Sequence, residues 1–280
     1  MFKTNYHIHT EFCDGKGSPE DLIKAAISRD FKIIGLSSHS MYPFASTWHI
    51  APRDFSDYVT AVRNAAEKFK DQITVLCGFE ADYVPFVTKP DFETYKSKSP
   101  DYLIGSVHYI FTENGRLAVD YSADKLKERI EQLFKGNSKK MIQEYFQLER
   151  KMLKEANFNI IGHPDLVRKN NEKLCMFNEN DSWYREEIKI TADEIKKAGV
   201  IAEINTGAIA RGTMDDVYPS AEFLSLLRER NVPVTINTDC HSPEKIDCGY
   251  ERALQAALKA GYSELAYIDR NNKIAFQKIC

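Results

Sequence analysis

The stretch Thr4-Asn5-Tyr6-His7-Ile8-His9-Thr10, running into the turn Phe12-Cys13-Asp14-Gly15, sets the terms for the rest of the chain. In an extended segment, residues two apart point the same way, so His7 and His9 present two imidazoles to one side. Neutral imidazole suits zinc, iron and manganese, and a His-x-His pair at a strand end is a common grip on a divalent ion. Asp14 follows in a glycine-flanked turn that can fold it back towards the same place.

Working outward, the same arrangement recurs. The turn is followed by a helix start at Ser18-Pro19-Glu20-Asp21, with serine as N-cap, proline at the first position and acids in the first turn. Strand 32–38 then ends on His39, strand 73–79 on Glu80, strand 101–107 on His108 and strand 158–162 on His163. Strand 200–205 follows, and strand 232–238 ends on Asp239-Cys240-His241. Helices are expected over 54–70, over 122–156 with a break near Gly136-Asn137, and over 181–198, 219–230 and 249–260. A short last strand lies near 266–268. The segments 41–53 and 83–100 read as loops, the second with a short helix. The strands are apolar enough to be buried on both faces, which favours a parallel sheet. About seven strand-then-helix repetitions leave two architectures, an α/β barrel or a doubly wound open sheet.

Six of the seven histidines (His7, His9, His39, His108, His163 and His241) sit at or just beyond strand ends, and Glu80 and Asp239 occupy equivalent positions. In a closed barrel those ends converge on one face, whereas an open sheet spreads them along an edge. Shared ligation therefore argues for the barrel. Any one of these residues alone reads as an ordinary strand-end polar group; their common position carries the inference. His49 is the exception and reads as an exposed loop residue, with a substrate contact as the alternative. Structural zinc sites are usually tetrahedral and cysteine-rich. Imidazoles and carboxylates in this number suit two or three ions sharing a bridging carboxylate, an arrangement that activates water and neutralises phosphoryl charge.

At 280 residues the chain can bury a large core, and no linker, repeat or low-complexity tract divides it, so one domain over 1–280 is expected. The composition is 43% hydrophobic and 28% charged, with a formal net charge of −3, which gives no global attraction to nucleic acid or membrane. No apolar run approaches the roughly 20 residues that span a bilayer. The polar N-terminus lacks a signal-peptide core, and the six cysteines form no CxxC pair or dense framework. Reduced thiols and a cytoplasmic location are the expectation.

The motifs Tyr6-His7-Ile8-His9-Thr10, Phe12-Cys13-Asp14-Gly15, Ser38-His39, Gly78-Phe79-Glu80-Ala81-Asp82, Gly105-Ser106-Val107-His108, Gly162-His163-Pro164-Asp165-Leu166, Glu203-Ile204-Asn205-Thr206 and Thr238-Asp239-Cys240-His241 together resemble the polymerase-and-histidinol-phosphatase (PHP) family of metallophosphoesterases. Within it, the Phe-Cys-Asp-Gly turn and the Glu-Ile-Asn-Thr segment favour the stand-alone histidinol-phosphate phosphatases. The resemblance implies a distorted (β/α)7 TIM-like barrel with three divalent ions (zinc, manganese or iron) at its C-terminal face. It implies that His7, His9, Glu80 and Asp239 hold the first ion. Glu80 would bridge to a second held by His108 and His163, while Asp14, His39 and His241 hold the third. Asp14 stands where many family members carry histidine. Glu80 and Asp239 would thus be catalytic through the metals they hold.

A phosphate ester also needs fixed cations, and arginine offers two-pronged hydrogen bonding to phosphate oxygens. Arg168, after the His163 loop, and Arg211, after the Glu203 segment, lie on the expected metal face; Arg53 closes the aromatic loop 41–53. Asp165 is the candidate general acid, with orientation of a metal ligand as its alternative role. Tyr42, Phe44 and Trp48 could shelter a small planar group. The expected reaction is hydrolysis of L-histidinol phosphate, a step of histidine biosynthesis, on a small-molecule monoester with neither nucleic acid nor membrane as partner. The alternative keeps the site and changes the substrate: a phosphotyrosine phosphatase, or a nuclease or nucleotide phosphoesterase. A metal-stabilised binding domain with a dead site would lack ligands, and this set is complete.

Overall fold

In the computed structural model, which describes residues 1–279, strand-then-helix alternation builds one eight-stranded parallel sheet. Its strands are β1 (Lys3–Asn5), β2 (Phe31–Leu36), β3 (His39–Ser40), β4 (Thr74–Asp82), β5 (Tyr102–Ser106), then, after an antiparallel hairpin β6 (Tyr109–Thr112) and β7 (Gly115–Ala118), β8 (Ile160–Ile161), β9 (Ile201–Asn205) and β10 (Val234–Asn237). The order is β1-β2-β4-β5-β8-β9-β10, with β3 extending the ladder beside β4. A parallel bridge between Ile8 and Cys240 brings the two ends together, with His9 N donating to Cys240 O at 2.8 Å and Cys240 N to His7 O at 3.1 Å. Seven strands thus form a nearly closed, distorted barrel within a single α/β domain.

Helices α1 (Pro19–Ser28), α2 (Phe55–Phe69), α3 (Ala123–Phe134), α4 (Ser138–Glu155), α5 (Asn171–Leu174), α6 (Ser182–Ala198), α7 (Gly207–Arg211), α8 (Ala221–Glu229) and α9 (Tyr250–Lys259) complete the chain, with a hairpin of β11 (Glu264–Ile268) and β12 (Ile274–Lys278). Their packing follows helical spacing: α2 buries Phe55, Tyr58, Val62, Ala65 and Phe69, one stripe facing the sheet. Ser18 caps α1 by accepting from Asp21 N at 3.2 Å. The long helical stretch breaks at Lys135, Gly136 and Asn137, where Lys135 and Gly136 take positive φ and the Asn137 side chain caps α4. Among the described residues, no helix is long and apolar enough to cross a membrane.

The strand alternation splits the core in two. Ile34, Cys77, Leu103, Ile161 and Ala202 face the helices. Ile33, Leu76, Tyr102, Ile104, Ile160 and Ile201 fill the barrel interior together with Tyr6 and, from β11, Ala266 and Ile268. The Tyr6 hydroxyl accepts from Ile268 N at 2.8 Å and donates to Ile268 O at 3.0 Å, fastening the hairpin to this layer. Tyr102 lies across the backbone of β4, where a Cβ on Gly78 would fall 2.4 Å from its ring. Gly78→Ala is therefore expected to destabilise the fold by about 1–3 kcal/mol, the usual cost of overpacking. Urea unfolding measures this, and an unchanged midpoint would count against the tight layer.

Several boundaries differ from the expectation. The first strand pairs only over β1, because Asn5 turns its side chain into the barrel seam and its Oδ1 accepts from His7 N and Thr238 N, both at 3.2 Å. His7 and His9 therefore lie on an extended segment beyond the ladder. Strand 158–162 pairs only at β8, and the short helix expected within 83–100 is the single 3-10 turn Lys96–Lys98. The β6–β7 hairpin has no counterpart among the expected elements: it stands outside the barrel ladder, buried at Tyr109-Ile110 and Leu117-Ala118 and more exposed towards its turn.

Candidate active site

Each ligand candidate reaches the barrel mouth through the local geometry of its strand end. Alternation along β4 puts Leu76 in the apolar layer and Glu80 and Asp82 above it on the same face. β3 sets His39 in register with Glu80, which brings His39 Nδ1 to 2.7 Å from Glu80 Oε2. The turn carrying Asp14 wraps over His9 so closely that a Cβ on Gly15 would lie 2.5 Å from the His9 carbonyl, and Lys16 N donates to His241 O at 2.8 Å. Asp14 Oδ1 thereby sits 3.3 Å from His241 Nε2 and 3.8 Å from His39 Nε2. His163 and Asp239 adopt positive φ of 23° and 50°. Such backbone costs on the order of 1–3 kcal/mol per residue and is concentrated at functional sites.

Glu80 is the centre. Its Oε2 lies 3.1 Å from His7 Nε2 and 3.6 Å from His9 Nε2, and its Oε1 lies 2.9 Å from His163 Nε2 and 3.4 Å from His108 Nε2. Asp239 Oδ1 is 3.3 Å from His9 Nε2 and 3.5 Å from His241 Nδ1. Four overlapping groups bring their ligand atoms within 4.8 Å of one another: His9, Asp14, His39 and His241; His7, His9 and Asp239; His7, Glu80 and His163; and His39, Glu80 and His108. All nine sequence candidates fall in these groups.

The donor chemistry of this cluster fits metal. His7 Nε2, His9 Nε2, His39 Nδ1 and Glu80 Oε2 are buried without a hydrogen-bond partner among the described residues, so the short approaches of these three nitrogens to Oε2 lack hydrogen-bond alignment. Orphaned buried polar atoms are costly, and a cation accepted by both imidazole and carboxylate relieves them together. Burial opposes ionisation of Glu80, yet His7, His39 and His108 outweigh it and hold its carboxyl well below the usual range. For Asp239 burial is likewise outweighed, first by Arg211 and then by His7. His9, by contrast, is held well below the usual imidazole range by burial and by His241 and His39 beside it, which leaves it neutral and able to ligate. Nitrogen and oxygen donors in overlapping groups make this a site for more than one ion.

A second layer of side chains fixes the first. Glu203 is fully buried: its Oε2 lies 2.9 Å from His7 Nδ1 and accepts from Asn237 Nδ2 at 2.8 Å, and its Oε1 accepts from His163 N and Asn205 Nδ2, both at 2.7 Å. A carboxylate behind a ligating imidazole sets the ring's orientation and basicity. Asp82 stands behind His108 in the same way, with Oδ1 2.7 Å from His108 Nδ1. From the sequence Glu203 is expected only as part of a motif, with no role of its own. A charged residue in the middle of the apolar run Val200-Ile201-Ala202-Glu203-Ile204 was the available signal, since such a residue must have a buried partner.

Beside the ligands opens a cleft of about 610 Å³, whose lining includes Trp48, Tyr109, Tyr121, Asp120, Lys169 and Arg211. Arg211 extends over Asp239, donating from Nη2 to Oδ2 at 2.6 Å. Arg168 does not belong to this lining: its guanidinium donates to Glu179 at 2.9 Å, to Val217 O at 2.8 Å and to Asp216 at 2.7 Å. The 3-10 turn Leu166–Arg168 rotates successive side chains apart, turning Arg168 away and leaving the next residue, Lys169, on the cleft. Arg53 is also displaced, exposed and paired with Asp54. Asp165 is buried off the cleft, where its Oδ2 accepts from Ser220 N at 2.7 Å and lies 3.7 Å from Arg168. Burial, partly countered by Arg168, pushes its carboxyl up to about 6, but the carboxyl is fully buried and does not line the cleft, which is not the placement expected of a general acid. His49 is not an exposed loop residue; it is buried against Asp82.

Comparison with known proteins agrees with this geometry. The chain matches the PHP domain family over residues 5–207. It is 26% identical over 284 aligned residues to a Schizosaccharomyces pombe protein named "Probable histidinol-phosphatase", covering 94% of this chain and 89% of that one. It is 22% identical to the histidinol-phosphatase of Bacillus subtilis, covering 91% and 99%. Among solved structures, the histidinol phosphate phosphatase of Lactococcus lactis, complexed with zinc, L-histidinol and phosphate, superimposes with a TM-score of 0.72 at 19% identity, covering 98% of each chain.

Proposed function

Because the chain belongs to the PHP domain family of metal-dependent phosphoesterases, we propose that it is a phosphomonoesterase that hydrolyses L-histidinol phosphate to L-histidinol and phosphate. The observation that carries the reading is the convergence of four ligand groups around Glu80 beside a cleft holding Arg211 and Lys169. His7, His9, Glu80 and Asp239 would hold one divalent ion, Glu80, His108 and His163 a second, and Asp14, His39 and His241 a third. Zinc, manganese and iron all suit this donor set. Bound there, the ions supply an activated water at neutral pH and offset the charge of the phosphoryl group.

The chain's own residues supply the rest. Arg211 and Lys169 are the cations that would bind phosphoryl oxygens not taken by metal. Arg211 must then share or exchange its bond to Asp239, which its position over that carboxylate permits. Asp165 acts by positioning: through Ser220 N and Arg168 it fixes the loop that carries His163. Trp48, Tyr109 and Tyr121 offer apolar, aromatic walls to the leaving group. We take residues 1–280 as one functional domain. The family match ends at residue 207, yet Asp239, His241 and the barrel-closing β10 come after it. A cytoplasmic location accords with the cysteines, which are all free among the described residues; Cys280 lies outside them.

The choice of histidinol phosphate is supported by the names of relatives aligned over 94% and 91% of the chain. It is tested by specificity constants on metal-replete enzyme for histidinol phosphate, a phosphotyrosine peptide, p-nitrophenyl phosphate and a short single-stranded oligonucleotide. Histidinol phosphate is expected to lead by at least about tenfold, or ~1.4 kcal/mol in the transition state. A lead of that size for the peptide or the oligonucleotide would overturn the substrate and leave the metal chemistry.

A further inference from the structure

His49 and its neighbours form an arrangement that the reaction described so far does not use. His49 Nε2 makes a very short contact with Asp82 Oδ2, and the other oxygen of the same carboxylate lies 2.7 Å from Nδ1 of His108. Asp82 is thus shared between a metal-site histidine and a histidine of the loop that precedes α2. On its far side, His49 Nδ1 lies 2.6 Å from Ser46 Oγ, which also accepts from Trp48 N at 3.3 Å. With its proton on Nε2, His49 donates to Asp82 and accepts from Ser46, so both ring nitrogens are used.

The ring face is engaged as well. Trp48 lies 3.9 Å from His49, centroid to centroid, and 5.6 Å from Tyr109 in a stacked arrangement. The indole also meets His39 edge-on at 4.6 Å and His108 at 5.2 Å, and it lines the cleft. The loop is anchored where it rejoins the barrel, Ile50 N donating to His39 O at 3.0 Å. One imidazole therefore fastens a cleft wall to the carboxylate behind a metal ligand.

We propose that His49 is a positioning residue that couples the loop 41–50 to the metal site, holding His108 in its ligating orientation through Asp82 and holding Trp48 in the cleft wall by ring contact. The coupling runs both ways. Filling the site at His108 steadies Trp48, and disturbing the loop weakens the grip of His108 on its ion. Loss of a partner behind a ligating histidine typically costs 10–100-fold in metal affinity or activity. The inference rests on the reading of His108 as a metal ligand and not on the identity of the substrate.

Three variants separate a positioning role from a structural one. His49→Phe keeps a planar ring beneath Trp48 but loses both nitrogens. His49→Gln returns a donor near the position of Nε2. Ser46→Ala removes one hydrogen bond at the outer end with little change in volume. Metal affinity is read by chelator competition, and the environment of Trp48 by its emission in a Trp183→Phe background, Trp183 being the other tryptophan of the chain. His49→Phe is expected to weaken the most loosely held ion at least about tenfold and to lower kcat more than it raises KM. It should also abolish the emission change on metal addition. His49→Gln should recover most of the affinity, and Ser46→Ala should show a smaller loss in the same direction, which preserves the test should His49→Phe fail to fold. Wild-type metal affinity in folded His49→Phe, or equal damage from His49→Gln, overturns the proposal. Wild-type protein that binds metal but rejects histidinol phosphate refutes the substrate alone and leaves the coupling to be judged by the same titrations. Wild-type protein that binds no metal refutes both.

Discussion

Glu80→Gln is expected to lower kcat with histidinol phosphate by at least roughly 10³-fold, about 4 kcal/mol in the transition state, while leaving the barrel folded. The reason is position. Both Glu80 oxygens lie in the barrel mouth, and nitrogens of His7, His9, His39, His108 and His163 all approach them within 3.6 Å. The amide has the same shape but no charge, and its nitrogen is a donor directed where a cation should sit. Two ions that share one carboxylate lose that shared charge, so metal content should fall together with turnover. The local scaffold should survive, because the Ser106 hydroxyl, 2.8 Å from Oε1, can donate to the amide oxygen of glutamine. Kinetics with elemental analysis of the same preparation checks the result. Near-normal turnover in a folded variant would remove Glu80 from the centre of the site.

Stripping the metals should have an effect of similar size on the reaction and a measurable one on the fold. Without a cation, Glu80 Oε2 and several imidazole nitrogens are left buried with no hydrogen-bond partner among the described residues. Extraction with a strong chelator is expected to reduce activity to below about a thousandth, with recovery when zinc, manganese or iron is returned. Each ion held at a hundredfold over its dissociation constant stabilises the native state by about 2.7 kcal/mol. In a chain of this size each kcal/mol moves the midpoint by roughly 2–4 °C, so loss of even one such ion should lower Tm by about 5 °C or more. Differential scanning calorimetry before and after chelation, with return of the ion as control, measures it. Unchanged activity and melting after verified metal removal would exclude a metal-dependent site.

The fold and the clustering of the candidate ligands are legible in the sequence because both depend on topology. In parallel strands joined by helices, every strand runs the same way, so residues that end strands share a face however far apart they are in sequence. His39, Glu80, His108 and His163 needed no knowledge of side-chain direction to be grouped. Orientation within loops was not legible. Arg168 and Lys169 are adjacent cations, and guanidinium chemistry favoured the first; a single 3-10 turn decided for the second. Asp165 follows the His163 strand end in sequence, but Ser220 N and Arg168 hold its carboxyl away from the cleft. His49 was misjudged because its burial depends on Asp82, whose inward direction follows from alternation along β4 but whose second partner lies in an irregular loop. The β6–β7 hairpin escaped notice because short strands outside the barrel carry little apolar alternation, yet Tyr109 on it forms part of the cleft.

We propose that one chain holds three catalytic ions in overlapping ligand groups. The most direct test is stepwise return of metal to the apo protein, counting bound ions by elemental analysis while following phosphate release from histidinol phosphate. Saturation at three ions per chain is expected, with turnover lagging the first equivalent and rising as the sites around Glu80 fill. Saturation at one ion or fewer, or full turnover in metal-free protein, would contradict it.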